Sequence, residues 1–584
     1  MIAHRKLTWA VLSGVLLLAG CGPDFWGNKN PTTRPSGTLK DAETMRRSMQ
    51  SVAMEGTIGS VANLQGMRYM RVRGYGLVWG LNGQGSRFCP PVIRDRILRD
   101  IRRFRLANPH LEKNLTAEEL IDSMDTAVVE VAGDIPAGAQ EGAVFDVVVS
   151  ATSTSPDTRS LAGGHLLPCE LQILQATSPG DAIEGQTHAK ARGPVFTNPF
   201  VSSATQPAAG TSLLEGRVIG GGVNVAKRRL GLDTLMPSYS RVRQIADAVN
   251  RRFVGDPKTA DPTSPGHVDL RVPGNFRGKE ARFVELVMHL PLSPSPAVRE
   301  MRTKALIGEL SSSIEPPEDA ALSLEGIGPS VITLLSELYT HPRRQASWYA
   351  ARTGLRLGDS PALEVVARHA KDPKSPYRIH AIRELGECHR MALAGRVLQE
   401  LLDDPDPWVR IRAYEGLRSA NRSAMVSVVV GREPGNFILD VLPSAGPPLI
   451  YARRSEVRQI ALIGADRMAF RLPLFYSKPG KQVTLSAAAG DQMLTIIRKE
   501  LDRVVGEFKA PLSVVQLTHF MGGDPRMGPD NKPEGLGLDY SLVLDVLHTL
   551  CQDGALNARI EWEQQSIEDL VGPLRPTGRP ESDL

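Results

Sequence analysis

The stretch GYGLVWGLNGQGS, residues 74–86, constrains this chain more than any other: five of its thirteen residues are glycine, with large apolar side chains between them. Such a run either cradles phosphate with its backbone or lets strands turn and approach one another closely. A dinucleotide-binding turn needs G-x-G-x-x-G at the opening of a helix. Here Gly74 and Gly76 are followed by Leu77, Val78 and Trp79 before Gly80 arrives. A phosphate loop needs Lys directly after its second glycine. Gly80 and Gly85 have that spacing, but Ser86 stands in place of the cation. The spacing therefore predicts a structural role, in which the glycines allow tight turns and close strand contact. Trp79 and its apolar neighbours are then expected to pack inward or against a neighbouring subunit.

Local patterns elsewhere support a mixed fold. Phe145, Val147 and Val149 alternate with Val144, Asp146 and Val148, which predicts a strand packed on one side. Val242, Ile245, Ala246, Val249 and Phe253 recur at helical spacing and predict one apolar helix face over residues 239–253.

Several of these segments together resemble the flagellar P-ring protein family. The run EGTIGSVANLQGMRYMRVRGYGLVWGLNGQGS is similar to the family's opening, with Gly74, Tyr75, Gly76, Leu77, Val78, Gly80, Leu81, Gly83 and Gly85 standing where the pattern asks. Ser160, Leu161, Gly163, Gly164, Leu166 and Leu167 match its S-L-x-G-G-x-L-L turn. RGPVF, GRVIGGGVNV and YSRVRQIADAVNRRF resemble later family segments. SLVLDVLHTLCQDGALNARIEWEQQ, residues 541–565, is similar to the family's ending: Leu544, Leu547 and Leu550 mark a helix face, Gly554 its end, and Ala558, Ile560 and Trp562 a closing strand. The resemblance implies a structural protein without catalysis or cofactor. It implies a ring of identical subunits in the periplasm at the peptidoglycan layer, acting as a bushing for the flagellar rod beside neighbouring ring proteins.

Two features lie outside that pattern. The chain opens MIAHRKLTWAVLSGVLLLAGC, a basic start followed by an apolar run too short to span a bilayer. Leu18-Ala19-Gly20-Cys21 resembles a bacterial lipobox, so residues 1–20 are expected to be a signal peptide and Cys21 the site of lipid attachment. Gly22 in place of an Asp favours the outer membrane. Residues 21–50, rich in Pro, Gly, Asn and Thr, read as a flexible tether. The second feature is an internal repeat. DPKSPYRIHAIRELG from Asp372 is echoed by DPDPWVRIRAYEGL from Asp404, 32 residues on, with Pro373/Pro405, Arg378/Arg410, Ala381/Ala413 and Leu385/Leu417 coinciding. A weaker copy precedes them. This resembles HEAT-type helical repeats, each unit burying its apolar face on the next.

The expected architecture is thus α+β. A P-ring-like sheet-and-helix region spans 51–320, HEAT-like helices are inserted over 340–425, and a mixed α/β part covers 426–584. In that last part VSVVV, QIALIG, LPLFY and QVTLSA read as strands and residues 491–507 as a helix.

Chemistry is sparse. The twelve histidines are scattered, with His165 in the GGHLL turn the best single candidate, and no catalytic Ser, Cys or metal-binding spacing appears. The run DDPDP at 403–407 reads as a solvated turn and Cys388 as a core residue. Cys89, Cys169, Cys388 and Cys551 are too widely spaced for a disulfide scaffold. A net charge of +5 on 584 residues is too mild to imply nucleic acid. Residues 93–106 carry six arginines against two aspartates, with Ile93, Ile97, Leu98 and Ile101 as a buried stripe. Arg96, Arg99, Arg102 and Arg103 are then candidates to meet peptidoglycan carboxylates or an acidic face of the next subunit. The rival reading is an outer-membrane lipoprotein scaffold or interaction module unrelated to motility.

Overall fold

The computed structural model describes residues 52–107, 116–152, 157–173, 186–197, 213–255, 257–388, 392–420, 424–431, 436–477, 483–500, 503–526 and 535–564. The signal, Cys21 and tether expected over residues 1–50 lie outside them. The described residues form an α+β fold, as the sequence patterns predict.

Six strands close into an antiparallel barrel: β2 (Met70–Trp79), β3 (Thr126–Ile135), β4 (Val144–Ala151), β5 (His165–Gln172), β6 (Thr187–Pro194) and β7 (Glu215–Asn224), in the order β2-β3-β4-β7-β6-β5. Period-two alternation sends Val72, Val78, Val129, Val131, Phe145, Val147, Val149 and Leu171 inward. A six-stranded barrel has a narrow bore, so small residues must alternate with large ones inside it. Gly74, Gly76 and Ala191 supply them. One flank of the barrel is covered by α1 (Pro91–Ala107) and α2 (Ala117–Ile121). Ile97, Leu98, Ile101 and Ile121 cover Leu77 and Val128 there. The short α2 is fixed at its start by a reciprocal capping box between Thr116 and Glu119.

Beside the barrel, β1 (Ala62–Gln65), β8 (Leu230–Thr234), β9 (Ala260–Ser264) and β10 (His267–Leu270) form a sheet in the order β1-β8-β10-β9. It packs under α3 (Tyr239–Arg252) and α4 (Glu280–Met288). The apolar face predicted for residues 239–253 is the face buried, and Phe253 meets Phe283 edge-on at 5.1 Å.

Helices follow from Pro296, earlier than the change of sequence character near 340: α5 (Pro296–Ser312), α6 (Glu318–Ile327), α7 (Ile332–Glu337), α8 (Arg344–Arg356), α9 (Ser360–Lys371), α10 (Arg378–Glu387), α11 (Ala392–Leu401) and α12 (Pro407–Ala420). The 32-residue echo has a matching geometry. Ala381, Ala413, Leu385 and Leu417 are all fully buried. Arg378 Nε donates to the carbonyl of Ala370 at 3.1 Å, and Arg410 Nε to that of Leu402 at 2.7 Å. Each arginine thus caps carbonyls at the end of the preceding helix. Asp372 and Asp404 each accept from the backbone N–H two residues on, at 2.9 Å. The acidic run 403–407 is therefore a turn, but Asp404 within it is not solvated: it is largely buried and paired with Arg378.

The carboxy-terminal part holds a mixed sheet, β11 (Val426–Val430), β12 (Phe437–Leu442), β14 (Gln459–Ile463), β13 (Leu449–Ala452) and β19 (Arg559–Trp562), in that order. Tyr451, Ala461 and Ile463 face the helices, while Ile450, Ala452, Ile460 and Leu462 face a second core. Burial on both faces explains why IALI, residues 460–463, is apolar throughout instead of alternating. The second core is completed by α13 (Val514–Gly522), α14 (Tyr540–Gln552) and an antiparallel sheet of β15 (Leu474–Ser477), β16 (Val483–Ala487), β17 (Met493–Glu500) and β18 (Arg503–Pro511). The helix expected over 491–507 is therefore wrong: β17 and β18 pair antiparallel, with Leu494 and Ile496 directed into the core. The residues that decide it are Thr495, Ile496 and Ile497, β-branched side chains that fit a pleated half-buried surface better than a helix. The ending does form a helix and strand, and Gly554 sits at φ +68° just past α14.

Candidate functional site

The glycine strand β2 is where the barrel closes. Its pairing with β5 is interrupted between Arg73, opposite Gln172, and Val78, opposite Leu166. Gly74 and Gly76 fall in the interruption. A Cβ on Gly74 would stand 2.4 Å from the carbonyl oxygen of Glu170, and one on Gly76 would stand 2.8 Å from Leu166 Cδ1. The space is thus already filled by the protein's own β5. Gly80 and Gly83, at φ +81° and +80°, turn the chain beyond the strand, and a Cβ on Gly85 would collide with the Thr126 carbonyl. Tyr75 points outward and is partly exposed, whereas Leu77 and Leu81 are buried.

The basic helix α1 is bound to that closure. Arg96 donates to the Glu170 carbonyl at 3.0 Å, and Arg103 lies 3.6 Å from the Glu170 carboxylate. Arg94 forms a bidentate pair with Asp122, both contacts at 2.7 Å, and Arg102 pairs with Glu118. Arg99 lies exposed on the same helix. Arg96, Arg102 and Arg103, read from sequence as anion contacts, therefore have partners within the subunit, although Arg102 and Arg103 keep 61% and 69% of their side chains exposed. Such exposed pairs contribute under about 1 kcal/mol each. Asp100, between Arg96 and Glu170, has a buried oxygen without a hydrogen-bond partner among the described residues, and burial raises its pKa.

The GGHLL turn is a docking point. Gly163 has φ +76°, and a Cβ there would meet the Asp539 carboxylate at 3.4 Å. Gly164 packs its backbone on Val78 and Leu81. His165 opens β5 and tilts against Trp79 at 5.9 Å. Burial, then the Arg458 guanidinium, lowers its pKa, so it stays neutral. Burial pushes Asp539 up to about 6, with Arg458 pulling the other way. Phe196 of the barrel and Tyr540 of α14 meet at 5.9 Å. The turn read as a family motif thus fastens the barrel to the carboxy-terminal core.

The sequence reading missed a polar seam between these parts. Asp146 of β4 accepts from the backbone N–H groups of Gly220 at 2.7 Å and Glu456 at 3.0 Å. Glu563 accepts from Arg453, the Arg454 backbone and Ser455 at 3.1, 2.8 and 2.7 Å. Asp440, fully buried, accepts from Tyr414 at 2.6 Å and Ser427 at 2.5 Å. The available signal was a carboxylate inside the apolar run FILDVL.

Cys89, Cys169, Cys388 and Cys551 are free thiols. Among the described residues no group of acidic, His and Cys side chains has metal-holding geometry, and no helix is long and apolar enough to cross a membrane.

Comparison with known proteins agrees with the barrel and its neighbouring sheet. The family model described as "Flagellar P-ring protein" matches residues 57–305, a span that ends within α5 and leaves residues 541–565 outside it. Similar relatives are flagellar P-ring proteins. That of Geobacter metallireducens is 28% identical over 296 residues, covering 49% of this chain and 73% of the relative. That of Geotalea uraniireducens is 26% identical over 289 residues, covering 47% and 70%. That of Geobacter sulfurreducens is 27% identical over 319 residues, covering 52% and 78%. Through residues 57–305, the glycine-closed barrel and the sheet beside it, the chain is similar to the flagellar P-ring protein family.

Proposed function

We propose that this protein is a structural subunit of a periplasmic P-ring-like assembly surrounding the flagellar rod. The observation that carries the reading is the family match over residues 57–305, which contains the whole closed barrel. A ring requires two different complementary surfaces on each subunit, related by a rotation that closes. Two apolar surfaces support that need. Val144 and Val148 on the outside of the barrel are 56% and 40% exposed, and Val426 and Val429 on the edge strand β11 are 64% and 59% exposed. The mechanism is passive, a wall of packed subunits without cofactor or catalysis, and the rod and neighbouring ring proteins are the partners.

The same proposal extends to residues 1–50: a signal over 1–20, acylation of Cys21 and a tether to residue 50 that holds the subunit at the outer membrane. The exposed guanidinium edges of Arg99, Arg102 and Arg103 contribute contacts to peptidoglycan carboxylates. The helices over 340–425 are read as a HEAT-like addition to the ring body, with the α/β part following from 426.

Deleting the gene and imaging motors in whole cells by electron cryotomography, with swimming scored in parallel, tests the reading. Loss of a ring density around the rod with impaired swimming is expected. Intact rings and normal swimming would refute it.

A further inference from the structure

The polar seam encloses a cavity of about 500 Å³ between the barrel, α12 and the strands β13, β14 and β19. One ordered water needs roughly 10–15 Å³ measured this way, so the space is in the range of a small-molecule site. Its charged lining is balanced, with Arg217, Arg412, Arg418 and Arg453 against Asp146, Glu415, Glu456 and Glu563. All four guanidinia have carboxylate partners: Arg217 with Asp146 at 3.4 Å, Arg412 with Glu415 at 2.7 Å, Arg453 with Glu456 at 2.9 Å and Glu563 at 3.1 Å, and Arg418, most loosely, with Asp440 at 3.8 Å.

Two groups in the lining are left short of a hydrogen bond among the described residues. Arg418 approaches only Asp440, with its Nε 3.8 Å from Oδ2, too far for a hydrogen bond. Gln459 is fully buried, and its Nε2 donates to the same Asp440 oxygen. That contact fixes the orientation of the amide, because a carboxylate accepts from NH₂ and not from C=O. Gln459 Oε1 is then a buried acceptor without a donor. A guanidinium short of a hydrogen-bond acceptor and an amide whose oxygen lacks a donor thus meet at one carboxylate oxygen.

We propose that this cavity binds a free α-amino acid, whose ammonium donates to Gln459 Oε1 and whose carboxylate accepts from Arg418. A ligand carrying both charges side by side satisfies both groups and leaves the balanced lining unchanged. A bare anion would add charge beside Asp440, and a bare cation would leave Arg418 unmatched. The site joins barrel, helices and carboxy-terminal sheet, so an occupied cavity ties these parts together. This goes beyond the ring-subunit reading and does not depend on it.

The test uses the full-length protein and a panel of free α-amino acids of both chiralities at millimolar concentration, scored by thermal shift and then calorimetry. The best binder is compared with its amide, which lacks the carboxylate, and its N-acetyl form, which lacks the ammonium. We expect one or more amino acids to raise the melting temperature and both analogues to bind about tenfold or more weakly, as for loss of one charge-assisted hydrogen bond. Arg418→Met, with its fold checked by circular dichroism, is expected to weaken the amino acid by a similar factor and leave the amide unchanged. No shift with any amino acid, or analogues binding as well as the parent, would overturn the proposal. The analogue comparison decides it even if the variant does not fold.

Discussion

Gly74→Ala tests whether the glycine strand is glycine-rich because the barrel must close through it. The added Cβ would stand 2.4 Å from the Glu170 carbonyl oxygen, where ordinary contact begins near 3.4 Å. Relief requires β2 and β5 to part by about 1 Å, because the obstacle is backbone and cannot rotate away. Strands lie about 4.8 Å apart, so that shift weakens the neighbouring ladder bonds. Overpacking of this kind costs about 1–3 kcal/mol, a large share of a net stability on the order of 5–15 kcal/mol. Gly83→Ala is the control. Its Cβ would meet nothing within 4 Å, and only the positive φ of +80° is strained, at about 1 kcal/mol. Urea melts followed by tryptophan fluorescence suit the comparison, since Trp79 ends β2 against His165. Gly74→Ala is expected to lose about twice the stability that Gly83→Ala loses. Equal losses, or a near-neutral Gly74→Ala, would show that the close approach to Glu170 does not hold in solution.

Three further outcomes follow from the described contacts. Arg410→Met should destabilise by about 2–3 kcal/mol, since Arg410 is 2% exposed and its loss leaves the Leu402 and Pro447 carbonyls without their charged donor; thermal melts check it, and a change below about 0.5 kcal/mol would refute the capping role. Asp539, pushed up to about 6 by burial, holds a proton in the folded state that the unfolded chain releases near pH 4. Stability should therefore fall by about 2–3 kcal/mol as pH rises from 4 to 6 and then level off from this group, and Asp539→Asn should flatten that slope in melts across the window. Burial pushes Cys169 and Cys551 up to about 12 and Cys388 to about 11, so these thiols should resist iodoacetamide in the native protein at pH 7.5 and react after denaturation; rapid native labelling, read by mass spectrometry, would contradict these raised pKa values.

What could be read in advance depended on how local the deciding interactions were. The alternation in β4 and the 3.6-residue spacing in α3 are each set by one interface, and both appear in the residues as they stand. The repeated Asp-Pro turn was legible for the same reason, since each arginine cap and each aspartate turn spans only a few residues. At residues 491–507 leucine, isoleucine and valine at mixed spacing mask the β-branched run Thr495, Ile496 and Ile497, whose strand pairs with β16 and β18. Closure of the barrel between β2 and β5 joins segments about a hundred residues apart, so the glycines announced close contact without naming its partner. The basic helix was read as outward-looking because Glu170 and Glu118, which take up Arg103 and Arg102, lie elsewhere in the chain. The polar seam brings Asp146 to the backbone of Glu456, 310 residues away, and no periodicity encodes a meeting at that distance.

The sheet carrying β13 and β14 has a mechanical consequence. Its inner strands are covered by the helices on one side and by α13 and α14 on the other, and the barrel in turn rests on that second core through Phe196 and Ile219. A load applied to the barrel wall is therefore passed through Phe196 and Ile219 to that second core. Peeling the helices away would wet Tyr451 and peeling the second core away would wet Ile450, neighbours on opposite faces of one strand. Helices, sheet and second core are thus stacked like a laminate, with the sheet as the ply common to both cores.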